Sequence, residues 1–152
     1  MNTNFPKEYV IGIDIGGTNF RIGGITAENK LIAEPQKYSS QQMFGNASPT
    51  DVLEKVISDF ILKFPDYTLK GICIGFPGTV DASKESVISC PNLITFTDVN
   101  ISTPLKEKFH VPVVAEHDVL LLLSYDMKVH HLEDDCCLVS FYIGTGLGNG
   151  IY

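Results

Sequence analysis

Two glycine turns carry the residue types best suited to holding a phosphate. Asp14 lies two residues before the first turn, residues 16–18 (GGT), and the second turn, residues 144–148 (GTGLG), contains Thr145. Glycine lets backbone N–H groups approach a phosphate closely, and a carboxylate beside such a turn can hold hydrated Mg²⁺. One such turn fits a plain hairpin equally well. Two of them, each after an apolar run, predict a clamp on the phosphates of a nucleotide.

Neither turn satisfies the patterns of two common nucleotide-binding folds. The second turn lacks the Lys-Ser/Thr pair that ends a P-loop. It leads into a short strand-like segment, residues 150–152, whereas the glycine fingerprint of a Rossmann fold opens a helix. Both folds are therefore disfavoured.

Other polar residues that could act on a ligand stand beside apolar elements. Asp118 begins an apolar helical pattern, where it could be a general base for a sugar hydroxyl or a helix N-cap, and position alone favours the N-cap. Asn92 lies between Pro91 and Leu93 and could bind a polyol or close its own turn. Residues 130–135 (HHLEDD) could bind a metal ion, but their composition is typical of a solvated loop.

Composition and charge limit the class of protein. The chain has 152 residues, with 11 Lys and Arg against 18 Asp and Glu, and its net charge of −7 argues against a basic nucleic-acid surface. No apolar run reaches the roughly 18 residues of a membrane span, and the first ten residues lack a signal-peptide pattern. The cysteines, Cys73, Cys90, Cys136 and Cys137, lack zinc-site spacing and are predicted to be reduced packing residues. We expect a cytoplasmic protein without nucleic-acid or membrane partners.

Alternating strand and helix patterns would position these residues. Residues 9–15, 19–25 and 31–37 predict a three-stranded meander. An N-cap at Ser48 and a 3.6-residue apolar period predict a helix that ends before Pro65. The remaining predicted strands are residues 69–76, 87–89, 111–115 and 136–143, and the remaining helices are residues 102–109 and 118–129. This order predicts an α/β fold with a mixed sheet and flanking helices.

Taken together, the motifs resemble the ROK family of sugar kinases and regulators, which has an actin-like, ribonuclease-H-like ATPase fold. The matching segments, in family order, are residues 14–21 (DIGGTNFR), 74–81 (IGFPGTVD), 91–93 (PNL), 116–118 (EHD) and 144–148 (GTGLG). Residues 91–93 and 118–126 and the second glycine turn are most similar to the D-allose kinase branch. The resemblance implies an ATP- and Mg²⁺-dependent hexose kinase.

The resemblance also implies a role for each matching residue. Asp118 would be the catalytic base that deprotonates the acceptor hydroxyl, and Asp14 would hold Mg²⁺ through water. The hexose pocket would be lined by Gly78, Asn92, His117 and Asp118. The ATP phosphates would face Gly16, Gly17, Thr18, Thr145 and Gly146. Most sugar kinases of the family carry Asn in place of His117, so the expected substrate is an allose-like or other aldohexose.

The resemblance places the chain in the first part of the family's length. Residues 1–133 correspond to the N-terminal actin-like lobe, and residues 134–152 to the opening strand and glycine loop of a second lobe. The last strand is apolar on both faces, so we expect it inside a buried sheet with its partner strands missing. The 152-residue chain should then be inactive alone, and residues 136–152 should either form a homo-oligomer or be disordered.

Two other functional classes compete with the kinase. A sugar-sensing ROK regulator would have the same pocket without catalysis. A repressor of this kind would need a DNA-binding helix-turn-helix ahead of the first strand. Only eight residues precede that strand in this sequence, so a repressor is disfavoured. A nuclease of the same fold superfamily would need clustered carboxylates and a basic face, which the net charge of −7 disfavours.

Overall fold

Strands and helices alternate through most of the chain. The computed structural model describes residues 7–45, 47–132, 137–143 and 147–151. The strands are β1 (Lys7–Ile15), β2 (Asn19–Thr26), β3 (Gln36–Ser39), β4 (Tyr67–Phe76), β5 (Thr79–Val80), β6 (Ser86–Ser89), β7 (Val99–Asn100), β8 (Val113–His117), β9 (Val139–Ile143) and β10 (Leu147–Ile151). The helices are α1 (Ser40–Phe44), α2 (Pro49–Ile61), α3 (Ser102–Phe109) and α4 (Asp118–His130), with a 3₁₀ turn at Ile94–Phe96.

A five-stranded mixed sheet forms the centre of the protein. Its strand order is β3-β2-β1-β4-β8. β1, β2 and β3 form an antiparallel meander, whereas β4 and β8 run parallel to β1. A small antiparallel sheet of β5, β6 and β7 and the hairpin of β9 and β10 complete the strands. The predicted mixed α/β sheet with an N-terminal meander is therefore confirmed.

The third strand of the meander begins later than the sequence pattern predicts. The predicted strand was residues 31–37, but β3 covers Gln36–Ser39, and Leu31 makes only an isolated bridge to Ile25. Pro35 lies between these two pairings. Proline has no N–H to donate to a strand neighbour, so the ladder starts again only after it.

Helix α2 forms as its local signals predict. The hydroxyl of Ser48 accepts a hydrogen bond from the N–H of Asp51 at 3.5 Å, and Pro49 is the first helical residue. The side chains that α2 buries are Val52, Leu53, Val56, Ile57 and Phe60. Each such side chain contributes about 1.5–3 kcal/mol when buried. They join the same core cluster as the inward residues of β1, which are Tyr9, Ile11, Ile13 and Ile15.

Strand β9 is more exposed than the sequence predicts. The segment 136–143 was expected to be buried on both faces, but the described strand begins at Val139 and alternates exposed and half-buried residues. Its outward side chains are Val139, Phe141 and Ile143, and the last of these is 88% exposed. Among the described residues β9 pairs only with β10, so its other edge has no partner strand, and the exposed side chains show that no described residue covers its outward face. Cys137 is exposed as well, contrary to the expected packing role.

No helix within the described part of the chain is both long and apolar enough to span a membrane.

Candidate functional site

The candidate site lies where the three parallel strands of the sheet end. Asp14 of β1 is level with Gly75 of β4, which is level with Glu116 of β8. Adjacent strands are about 4.8 Å apart, so the backbones at Asp14 and Glu116 are separated by about 10 Å. The parallel direction brings the segments after all three strands to one edge of the sheet. In open α/β sheets that edge is where ligands bind.

The first glycine turn presents two backbone donors at this edge. The N–H of Gly16 is already used, because it donates to the carbonyl of Asn19 at 2.9 Å. The N–H groups of Gly17 and Thr18 donate to no other group among the described residues. These two amides, and not that of Gly16, are available for an anionic oxygen.

Ser40 holds the first glycine turn in place, and sequence reasoning missed it. The side chain is completely buried, and its hydroxyl donates to the carbonyl of Gly16 at 2.6 Å. The N–H of Ser40 donates to the carbonyl of Thr18 at 3.0 Å. No local pattern marks a serine for this role, because its partners lie more than 20 residues away in the sequence.

Asp14 is exposed beside the glycine turn. Its carboxylate lies 3.3 Å from the guanidinium of Arg21, and each side chain is about 60% exposed, at 60% and 58%. An exposed pair of this kind contributes little to stability, about 0–1 kcal/mol, and can open. No group of three or more His, Cys, Asp or Glu side chains able to hold a metal ion occurs in the described part of the chain. As a single exposed carboxylate, Asp14 could supply one oxygen ligand to a hydrated Mg²⁺ ion.

His117 and Asp118 begin helix α4. Strand β8 runs into α4 without a loop: His117 is the N-cap residue and Asp118 is the first helical residue. The sequence pattern favoured Asp118 as the N-cap, so the helix begins one residue earlier than that N-cap would place it. The Oδ1 atom of Asp118 accepts the N–H of Val119 at 2.7 Å and lies 3.4 Å from Nε2 of His117. Each side chain is 34% exposed. One carboxylate oxygen is thus anchored, and the other is available to a ligand.

A cavity of about 380 Å³ opens beside His117. Its lining residues are Pro77, Gly78, Thr79, Val80, Lys84, Ser89, Pro91, Glu116, His117 and Leu120. Gly78 has no room for a side chain, because a Cβ there would overlap the carbonyl oxygen of Ser89. The structure therefore brings two of the predicted hexose-binding residues, Gly78 and His117, to one cavity.

Asn92 lies against the first glycine turn and does not line this cavity, although its neighbour Pro91 does. Its side chain is so close to Gly17 that a Cβ on Gly17 would be 3.0 Å from Cβ of Asn92. A second cavity, of about 420 Å³, is lined by Gly17, Thr18 and Asn92 together with the start of α1. Burial, with a further contribution from the charge of Asp118, raises the pKa of the Cys90 thiol although the Leu93 N–H opposes it.

Thr145 and Gly146, predicted to form the second half of the phosphate clamp, lie outside the described residues. The described hairpin on either side of them packs against α4. A Cβ on Gly148 would lie 2.7 Å from a methyl group of Val119, and the hydroxyl of Tyr142 donates to Asp126 at 2.7 Å. The second glycine turn thus joins two strands that α4 supports.

Comparison with known proteins identifies relatives over nearly the whole chain. The model of the ROK family matches residues 10–152. Glucokinase of Thermotoga maritima is 26% identical over 147 residues, which are 96% of this chain and 45% of that protein. Xylose repressor of Bacillus subtilis is 29% identical over 150 residues, which are 95% of this chain and 38% of that protein.

A solved structure has the same fold. The ROK family glucokinase from Streptomyces griseus, determined in complex with glucose and AMPPNP, matches with a TM-score of 0.72 at 22% identity over 94% of this chain and 44% of that one. The fold is therefore the actin-like ATPase fold of ROK sugar kinases. The chain spans less than half the length of these relatives.

Proposed function

The chain belongs to the ROK family, and we propose that it is the N-terminal part of an ATP- and Mg²⁺-dependent kinase that phosphorylates a hexose hydroxyl. The observation that carries the proposal is the position of Asp118. Its carboxylate has a free oxygen at the sheet edge, beside a cavity lined by Gly78 and His117 and on the same edge as the open amides of Gly17 and Thr18. An acceptor hydroxyl and a phosphate can therefore meet at this edge.

The reaction divides among three groups of residues. Asp118 accepts the proton of the sugar hydroxyl as that oxygen bonds to the γ-phosphorus of ATP, the bond from that phosphorus to the bridging oxygen breaks, and ADP leaves. A base in this role contributes about 10²–10⁴ in rate. Gly17 and Thr18, together with Thr145 and Gly146, hold the phosphate oxygens. Asp14 would hold Mg²⁺ through water, and the ion would neutralise charge on the phosphates. Catalysis then depends mainly on positioning and charge.

The cavity beside His117 supports a hexose as the substrate. We assign Gly78, Asn92, His117 and Asp118 to the hexose. The imidazole of His117 offers at most one donor and one acceptor when neutral, on a rigid ring, whereas an asparagine amide offers both at one end. This difference supports an allose-like or other aldohexose rather than glucose.

A regulatory function is the second candidate. Similarity to xylose repressor over 95% of the chain supports a sugar-sensing protein that binds without catalysis. Both candidates need the cavity beside His117, but only the kinase needs a proton acceptor at Asp118. ATP turnover therefore separates them.

The test uses a fusion protein in which this chain replaces the matching 45% of Thermotoga maritima glucokinase and is followed by the rest of that enzyme. This fusion is called the completed protein. ADP formation is followed with a coupled assay over a panel of hexoses that includes allose, glucose and mannose. Hexose-dependent ADP formation that requires Mg²⁺ supports the kinase. Sugar binding without ADP formation, with an active Thermotoga enzyme as the control, would favour the sensor.

A further inference from the structure

Lys84 has an unusual backbone conformation in the wall of the cavity beside His117. Its φ is 61°, in the left-handed region. Glycine, asparagine and aspartate tolerate that region far better than lysine. Residues held in such conformations cluster at functional sites, where the surrounding structure fixes them.

The main chain of Lys84 is fixed by two other elements. Its carbonyl oxygen accepts the hydroxyl of Ser102, the first residue of α3, at 2.9 Å. The same oxygen accepts the N–H of Ala115 in β8 at 3.0 Å. These contacts hold Lys84 against β8, so that its side chain starts at the cavity wall.

The side chain of Lys84 is paired with Glu116. Its Nζ atom lies 2.8 Å from Oε1 and 2.6 Å from Oε2 of the carboxylate. Glu116 is only 17% exposed, and its Oε1 also accepts the N–H of His117 at 2.9 Å. The Lys84 side chain is 40% exposed, and its ammonium has a third N–H. A donor and an acceptor of fixed position thus lie next to each other in the cavity that also contains His117.

We propose that Lys84 and Glu116 form a specificity-determining pair that binds two neighbouring hydroxyls of the sugar. The ammonium donates to one hydroxyl, and the carboxylate accepts from the next. Because the two charges cancel, the pair favours a neutral hexose with an unsubstituted vicinal diol over an acidic or an amino sugar. This inference rests on the proposed hexose site and names the substrate class for it.

The test measures sugar binding to the 152-residue chain by NMR, with ¹⁵N-labelled protein titrated with allose, glucose, glucuronate, glucosamine and monodeoxy hexoses. Lys84→Met should weaken binding of the preferred neutral hexose by about tenfold or more, the usual effect of losing a charged hydrogen bond. One monodeoxy hexose, which lacks the hydroxyl that Lys84 binds, should bind to the wild type more weakly than its parent sugar does. The same two sugars should bind to Lys84→Met with equal affinity. A structural role alone would not produce this sugar-specific difference.

Two further variants separate binding from folding. Lys84→Gly removes the ammonium but also relieves the left-handed backbone, so it should lose sugar affinity without a lower Tm. Lys106→Met is the matched control, because Lys106 is 39% exposed, pairs with Glu85 at 2.8 Å and does not line this cavity. It should bind sugar like the wild type.

The results distinguish the inference from the proposed function. Sugar-dependent shifts around His117 that are unchanged in both Lys84 variants would overturn the inference and leave the hexose site intact. Preferred binding of glucuronate or glucosamine would overturn it too. No sugar-dependent shift in the wild-type chain would overturn the inference, whereas hexose-dependent ADP formation by the completed protein would still support the proposed function.

Discussion

Replacement of Asp118 by asparagine tests the central step of the proposed reaction. Asparagine keeps the Oδ1 acceptor, so the hydrogen bond from the N–H of Val119, 2.7 Å long, is retained. What is lost is the negative charge and the ability to take a proton, so the 3.4 Å contact between Oδ1 and Nε2 of His117 becomes a neutral one. Both side chains are one-third exposed, so that contact contributes less than about 1 kcal/mol to stability. The fold should therefore change little.

The chemical step should change much more than the fold. In the completed protein we expect kcat to fall by about 10² to 10⁴ for Asp118→Asn. That range corresponds to about 2.7–5.4 kcal/mol of transition-state stabilisation. Sugar affinity should stay within a few-fold, because the amide NH₂ that replaces the open oxygen can donate a hydrogen bond to the oxygen of the sugar hydroxyl. A loss in kcat without a matching loss in binding is the signature of a group that acts in the transition state.

The assay combines coupled ADP formation with a sugar titration of the same protein. Asp126→Asn is the control, because Asp126 lies on the same helix but binds Tyr142 at 2.7 Å. It should keep kcat near the wild-type value. A near-normal kcat for Asp118→Asn would refute the assignment of the base and leave Asp118 as a residue that only begins helix α4.

Four other outcomes are expected. In the completed protein, His117→Asn should raise the kcat/KM ratio of glucose over allose; an unchanged ratio across the hexoses would remove that residue from substrate recognition. Gly78→Ala should lower the free energy of unfolding by about 1–3 kcal/mol in urea titrations, since its Cβ would overlap a carbonyl of β6; a wild-type midpoint would show that β6 can move aside. The 152-residue chain should self-associate through the exposed face of β9, and Phe141→Lys should make it monomeric by light scattering; a monomeric wild-type chain would contradict this. Iodoacetamide should label the exposed Cys137 long before the buried Cys90, whose pKa is raised by burial; equal rates in peptide mapping would contradict the described burial.

Local signals in the sequence were sufficient where a single element determines its own structure. Helix α2 has its N-cap at Ser48 and a continuous apolar face, and the structure reproduces its start. The β3 strand was displaced because Pro35 outweighs the strand propensity around it. β9 was predicted as buried on composition alone. Burial depends on what covers a strand, and its outer face, including Ile143, has no cover among the described residues.

The candidate site was only partly predictable for the same reason. Asp14 and Asp118 were identified because each follows an apolar run, and the parallel order β1-β4-β8 then places them at one edge. Ser40 and Lys84 were missed. Their partners, Gly16 and Glu116, are 24 and 32 residues away. A contact over such a distance leaves no local pattern, and it becomes visible only once the sheet order is known.

The sheet itself sets the distance between the two halves of the proposed reaction. Asp14 belongs to the phosphate side and Glu116, next to His117, to the sugar side, and β4 separates them in fixed register. Their backbone separation of about 10 Å follows from the spacing of three hydrogen-bonded strands and needs no side-chain contact between the sites. Under the proposed function, substitutions at residues such as Lys84 and His117 can therefore change the substrate preference without moving the first glycine turn.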